Sequence, residues 1–321
     1  MKKLFSTLAL SAVALAVAGT VPAHAVEIPC ETARLIVPWK AGGDTHVIFS
    51  VFEKKIQELD VKPKIQVVTI GGQGGNKGAK EAAAAAPDGC TLFAIHQSAI
   101  TSYLNGRIEF QYDGFETVAR LTSTPDIPGA TPSSGYKTWA DVQAAAMANP
   151  GGIKVGATLG STSQFMWLLL EDLTGVTFSY VPYDGTAERT TALLSGAIDL
   201  GSVNVASNRA LLEAGEVIGL GIAAAERSKF LPDLPTMKEQ GVDLEYSLVR
   251  GIMAPKGTPK EIVDQWAAVF QAAAEDPGLI AEMEAKGTDV EFVGPEGFRE
   301  WAEKTYAAYE KVAIKIGLYK K

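Results

Sequence analysis

Histidine and cysteine are scarce in this chain of 321 residues, which has three of the first and two of the second. Only His46 and His96 lie beyond the leader, and with Cys30 and Cys90 they show no metal-ligand spacing. Neither the nucleophile elbow G-x-S-x-G nor the zinc motif H-E-x-x-H is present, so no activated nucleophile and no metal is on view. Nucleotide motifs fail as well. GGQGGNKG (Gly71–Gly78) places Gly78 after Lys77 where a P-loop needs Ser or Thr, and G-x-G-x-x-G begun at Gly72 ends on Lys77. That stretch is left as a loop shaping one wall of a cleft. A basic excess is lacking too. Without Lys2 and Lys3 the 29 basic residues fall to 27 against 37 acidic ones, a formal charge of −10. Nucleic acid and anionic membrane surfaces are thereby excluded as partners, whereas a small anion in a locally positive cleft is not.

The first 25 residues read as a cleaved signal peptide. Lys2 and Lys3 precede an apolar stretch from Leu8 to Ala18, and Ala23-His24-Ala25 is a small-x-small cleavage signal. Cys30 lies five residues past that cut, so it is not a lipoprotein cysteine. No later apolar stretch approaches the roughly 18 residues that a span requires. Export to the periplasm is expected. There, Cys30 and Cys90 each stand just before a predicted strand, 34–37 and 91–95. If those strands are adjacent and parallel, a disulfide can join them.

Strand-like runs at 34–37, 64–70, 91–95, 153–157, 178–183, 197–203, 219–225 and 247–255 alternate with amphipathic helical segments, and the tail from Thr258 reads as three helices. This pattern predicts an α/β fold with largely parallel sheets. LIVPWKAGGDTHVIFSVF and KVGATLGSTSQFMWLLL both run from strand through a Gly- and hydroxyl-rich loop into a helix. Two similar lobes, each offering a helix N-terminus to a shared crevice, follow from that pairing. In the first loop Asp44 or Thr45 can cap the helix beginning near Val47. The second, Thr158–Gln164, has more hydroxyls than capping needs and suits a carboxylate. His46 and His96 stand at strand ends near the crevice, Lys40 reads as a solvated surface lysine, and Arg250 interrupts the apolar strand SLVRGIMAP. That arginine calls for either a ligand anion or a nearby carboxylate of the chain.

RLIVPWKAGGDTH, GGQGGNKG followed by AAPDGCTLF, VPYDGTAERTTALLSGAIDL, RSKFLPDLPTMKEQG and APKGTPKEIVDQ together resemble the periplasmic receptors of tripartite tricarboxylate transporters, the Bug receptors. The resemblance covers nearly all of the chain after the leader. It implies a two-lobed α/β periplasmic-binding-protein fold of type II (the Venus-flytrap form), with a central sheet in each lobe and a ligand cleft between. Lobe 1 would comprise residues 26–121 plus 246–321, and lobe 2 residues 122–245. By position, the resemblance assigns ligand contacts to Trp39, Ala41, Gly42, Thr45, Gln97, Ser98, Ser161, Thr162, Ser163, Asn204 and Ser207. His46 and Arg250 join these as candidates. The chain departs from the family pattern at Asp44-Thr45-His46, where Gly-Thr-Asp is usual, at Gln164 in place of a histidine, and at Arg250 beside a position that favours tryptophan.

The resulting expectation is a monomeric, non-catalytic receptor without cofactor or metal. It would capture a small organic carboxylate, with di- or tricarboxylates favoured if Arg250 meets a distal carboxylate, and deliver it to membrane permease subunits. An exported hydrolase using the same cleft, or a ligand-sensing receptor for signalling, are the alternatives.

Overall fold

The computed structural model describes residues 27–320, so the signal peptide expected over residues 1–25 lies outside the described residues. The chain opens with β1 (Thr32–Val37), α1 (Asp44–Glu58), β2 (Lys64–Thr69), α2 (Asn76–Ala83), β3 (Thr91–Ile95) and α3 (Ser98–Leu104). A long strand β4 (Phe115–Pro125) passes through Asp126 directly into β5 (Ile127–Ala130). Then come α4 (Trp139–Ala148), β6 (Lys154–Ala157), α5 (Thr162–Thr174), β7 (Ser179–Pro182), α6 (Thr186–Leu194), β8 (Leu200–Val203), α7 (Val205–Glu213) and β9 (Ile218–Gly219). The last elements are β10 (Ser247–Pro255), α8 (Lys260–Ala274), α9 (Pro277–Glu284), β11 (Asp289–Val293) and α10 (Pro295–Lys315).

Two sheets result, ordered β11-β4-β10-β3-β1-β2 and β7-β6-β8-β5-β9, one in each lobe. Both are mixed, not largely parallel as the alternation predicts. β1 pairs in parallel with β2 and β3, and β6 with β7 and β8, while every pairing of β4, β5 and β10 is antiparallel. The reason is the route of the chain. β4, β5 and β10 are the strands that carry it from one sheet to the other, so they enter without a strand–helix–strand crossover and are free to run the opposite way. The two crossings are tied together, Asp126 donating its N–H to the carbonyl of Tyr246 at 3.0 Å.

The strands expected at 91–95 and 247–255 form over those residues. β4, β5 and β11 were not expected. β4 carries the half-buried charges Glu116 and Arg120 between its buried positions, and β11 is a short edge strand inside a tail that reads as helical. Of the run 219–225, only Gly219 joins a strand and Ile222 makes an isolated bridge to Thr236.

Burial follows the apolar pattern. Leu35, Ile36 and Val37 of β1, and all five residues of β3, are buried, as expected for inner strands covered on both faces. α1 turns Ile48, Phe49, Val51, Phe52 and Ile56 inward, and α8 adds Ile262, Trp266 and Phe270 to the same core. Because β1 and β3 are parallel neighbours, Cys30 and Cys90 meet at the N-terminal edge of the sheet. They form a disulfide with Cα atoms 5.9 Å apart. The C-terminal ends of the same strands open toward the second lobe.

Candidate ligand-binding cleft

Four helix N-termini converge between the lobes: α1 from the first, and α5, α6 and α7 from the second. Each begins at a turn directly after a strand, where unpaired N–H groups gather and favour negative charge. In α5 the helical ladder first reaches Phe165, whose N–H donates to Ser161 O at 3.0 Å. The earlier N–H groups of this helix are therefore outside the ladder, beside the hydroxyls of Ser161, Thr162 and Ser163. All three residues line the cavity, and Ser163 is oriented by the N–H of Thr158 donating to its Oγ at 2.9 Å.

On the opposite wall Trp39 stacks flat on His96, with ring centroids 4.3 Å apart and planes within 2°. The Gly-rich loop backs this wall, since a Cβ on Gly75 (φ +97) would meet the Trp39 ring at 3.2 Å. The mouth is bridged in several places. Lys40 pairs with Glu188, the Gly74 N–H donates to Asp184 Oδ1 at 3.0 Å, and Asn105 Nδ2 donates to Gly160 O at 2.7 Å. Lys40, expected to be merely solvated, is thus an inter-lobe contact. The cleft between the lobes is closed over by these bridges and lined from both sides.

Charge inside the cleft is arranged around Asp44. Its carboxylate accepts from Arg250 Nη2, from Asn204 Nδ2 at 2.9 Å and from Thr186 Oγ1 at 2.8 Å. Asp44 is therefore not the helix cap considered from sequence. It is the first residue of α1, Gly43 occupies the cap position, and no side chain caps the helix. A buried carboxylate within reach of a guanidinium and two donors gains more from them than from its own helix N–H groups. Burial pushes the Asp44 carboxyl up, but Arg250, His96, Thr186 and Arg189 outweigh that and hold it at about 2. Burial also depresses His96, to about 3, so its imidazole is neutral at ordinary pH.

The expected site residues divide into two groups. Trp39, Thr45, His46, Ser161, Thr162 and Ser163 line the cavity. Ala41, Gly42, Gln97, Ser98, Asn204, Ser207 and Arg250 are outside that lining. Gln97 is turned to β10, donating to Ser247 O at 2.9 Å and accepting from Val249 N at 3.0 Å. Ser98 donates its N–H to His96 Nδ1 at 3.2 Å, and Gly42 does the same to His46 Nδ1 at 3.3 Å. Ser207 accepts from Asn208 Nδ2 at 2.8 Å. Arg250 is fully buried and bonds Thr45 Oγ1 at 3.1 Å and Thr124 Oγ1 at 2.9 Å besides Asp44. Of its two sequence-level partners, a ligand anion or a chain carboxylate, the structure supplies the second.

Two buried charged lining residues escape the sequence pattern. Arg189, on α6, is buried and donates to Thr158 Oγ1 and Thr186 Oγ1, both at 3.1 Å, while its Nε has no acceptor. Burial lowers its pKa and Asp44, Asp126 and Glu188 oppose that. In AERTT it reads as one of a surface charge pair. The signal that could have found it is VPYDGT, a third strand followed by a Gly- and hydroxyl-bearing turn into a helix. The second residue is Asp126, buried at the crossing between sheets; burial and the nearby Asp44 charge push its carboxyl up to about 7.

Two lobes joined by two crossing strands, with a cavity lined from both sides, define a bilobal solute-binding protein. The chain belongs to the tripartite tricarboxylate transporter family receptors, whose family model matches residues 59–318. It is 29% identical over 264 residues to a UPF0065 protein from the TAR-I ttuE-ttuC' intergenic region of Agrobacterium vitis, covering 81% of this chain and 76% of that one. Among solved structures it is similar to MatC from Rhodopseudomonas palustris with bound malate, at TM-score 0.81 and 26% identity over 88% of this chain and 98% of that one. It is likewise similar to R. palustris Rpa4515 with adipate, at TM-score 0.83 and 28% identity over 91% and 99%.

Proposed function

We propose that this protein is a non-catalytic receptor of the periplasm that captures a small organic carboxylate between its lobes and delivers it to a tripartite tricarboxylate-type permease. The observation that carries this reading is Arg189. It is a buried cation on the cavity wall whose hydrogen-bond partners are all neutral, beside the N-terminus of α5. Asp44, Asp126 and Glu188 act on it only through space, and a ligand carboxylate would supply the direct charged partner that a buried guanidinium lacks here. The malate and adipate bound to the two similar structures are small carboxylates of the same kind. The sequence-level case for a second carboxylate rested on Arg250, whose charge here answers Asp44. Arg189 takes its place as the cation facing the ligand.

Binding would work by population shift, because contacts to α5 and α6 on one lobe and to Trp39 on the other exist together only when the lobes are closed. Calorimetric titration with a panel of small carboxylates tests this. Arg189→Gln is expected to weaken the acid that binds by roughly a hundredfold, the scale of losing a buried charge-assisted contact. If no carboxylate binds, or if the bound acid is turned over, the receptor reading falls.

A further inference from the structure

Asp126 has no part in gripping a carboxylate, yet it is built into the same cavity. It is the single residue between β4 and β5, at the crossing between lobes. Its backbone is held at both ends: its N–H donates to Tyr246 O at 3.0 Å, and its carbonyl accepts from Ala223 N at 2.9 Å. The residue is 3% exposed and lines the cavity. Among the described residues, its carboxylate makes no hydrogen bond and no ion pair. A buried acid in that condition is as costly as a buried unpaired arginine.

The four buried charged groups at the cleft form one bonded pair and one unbonded pair, while Lys40 and Glu188 pair at its mouth and Asp184 accepts from the Gly74 N–H there. Asp44 and Arg250 bond each other, whereas Arg189 and Asp126 bond neither each other nor any other charge. With both acids ionised, these four groups sum to zero. A dianionic ligand would bring two uncompensated negative charges into a water-poor cleft, and a zwitterion would bring none. We propose that the ligand is an amino-carboxylate, with its carboxylate on Arg189 and the first turn of α5 and its ammonium on Asp126. The flat Trp39–His96 face, Arg189 and Asp126 all line this one cavity. This inference rests on the carboxylate reading above and adds the second charge.

Matched acids that differ only at carbon 2 test it: alanine, lactate and propionate, then aspartate, malate and succinate, titrated calorimetrically into the wild type and into Asp126→Asn. The amino member of a series should bind roughly ten- to a hundredfold more tightly than the unsubstituted one, the range for a hydrogen bond to a charged group. In Asp126→Asn that ratio should fall to near one. If lactate, malate or the unsubstituted acids bind the wild type as tightly as the amino acids, the proposal is overturned and the carboxylate reading stands. If none of the six binds, both fall. A ratio that persists in a folded Asp126→Asn protein, checked by circular dichroism, also overturns the proposal. Should that variant not fold, the wild-type series alone decides.

Discussion

The Asp44 carboxylate is bonded to the Arg250 guanidinium across 206 positions of sequence, with both side chains almost wholly inaccessible to water. Because Asp44 also accepts from Thr186 and Asn204, this pair links the start of α1 to the starts of α6 and α7 in the other lobe.

Removing one partner should therefore cost stability rather than ligand selectivity. Arg250→Ala is expected to destabilise the protein by about 3–5 kcal/mol, because it strands a buried carboxylate. Arg250→Met combined with Asp44→Asn should recover part of that loss. Denaturant unfolding of the three proteins measures both. A variant of unchanged stability that loses affinity for diacids alone would instead place Arg250 at the ligand.

Asp126 should make stability depend on pH in a direction opposite to Asp44 and His96. Its folded pKa, about 7, lies above the ordinary carboxylate value, so its contribution is present in acid and is lost as pH rises from about 4 through 7. Asp44 and His96 have folded values of about 2 and about 3, both depressed. Their contributions are lost as pH falls, from about 6.5 downward for His96 and from about 4 for Asp44. Asp126→Asn should consequently raise the melting temperature at pH 8, by on the order of a few kcal/mol in stability, and have little effect at pH 4. The groups in electrostatic reach of Asp126 are Asp44, Arg189, Arg250, Tyr246 and Tyr309, and none of the others is replaced in this variant.

The Lys40–Glu188 pair spans the mouth of the cleft between the lobes, with Lys40 largely exposed. Lys40→Ala should speed ligand release by roughly a few fold, and the difference should vanish at high ionic strength, as for an exposed ion pair. Stopped-flow release at low and high salt reads this directly. A salt-independent change would assign Lys40 another role.

Loss of the disulfide should act on folding and not on binding. Cys30 and Cys90 are 60 positions apart, a spacing for which chain-entropy reasoning gives about 4 kcal/mol of stabilisation. They lie at the N-terminal ends of β1 and β3, while the cleft lies beyond the C-terminal ends. A Cys30→Ser/Cys90→Ser double variant should melt at lower temperature and keep its ligand affinity within about twofold, a comparison that thermal melting and calorimetry make together.

Local pattern in the sequence determined the α/β alternation, the strands at 91–95 and 247–255, the paired loops before α1 and α5, and the placement of Cys30 and Cys90 at one sheet edge. Each of these depends on a period of two or 3.6 residues, or on a turn spanning a few positions, and such signals survive in a linear reading. The assignment of Trp39, Thr45 and Ser161–Ser163 as ligand contacts came from the family resemblance and not from these local signals, and the cavity lining includes all five. What only the tertiary structure decided was the pairing of charges. Asp44 in GGDTH looks like a helix cap, Arg189 like a surface charge and Asp126 like a loop acid. Their meaning depends on which charged group from a distant segment lies within a few ångströms and on how little water is left between them. Arg250 shows the same division: its sequence demands a counter-charge, and the fold supplies Asp44. That leaves Arg189 and Asp126 facing the cavity.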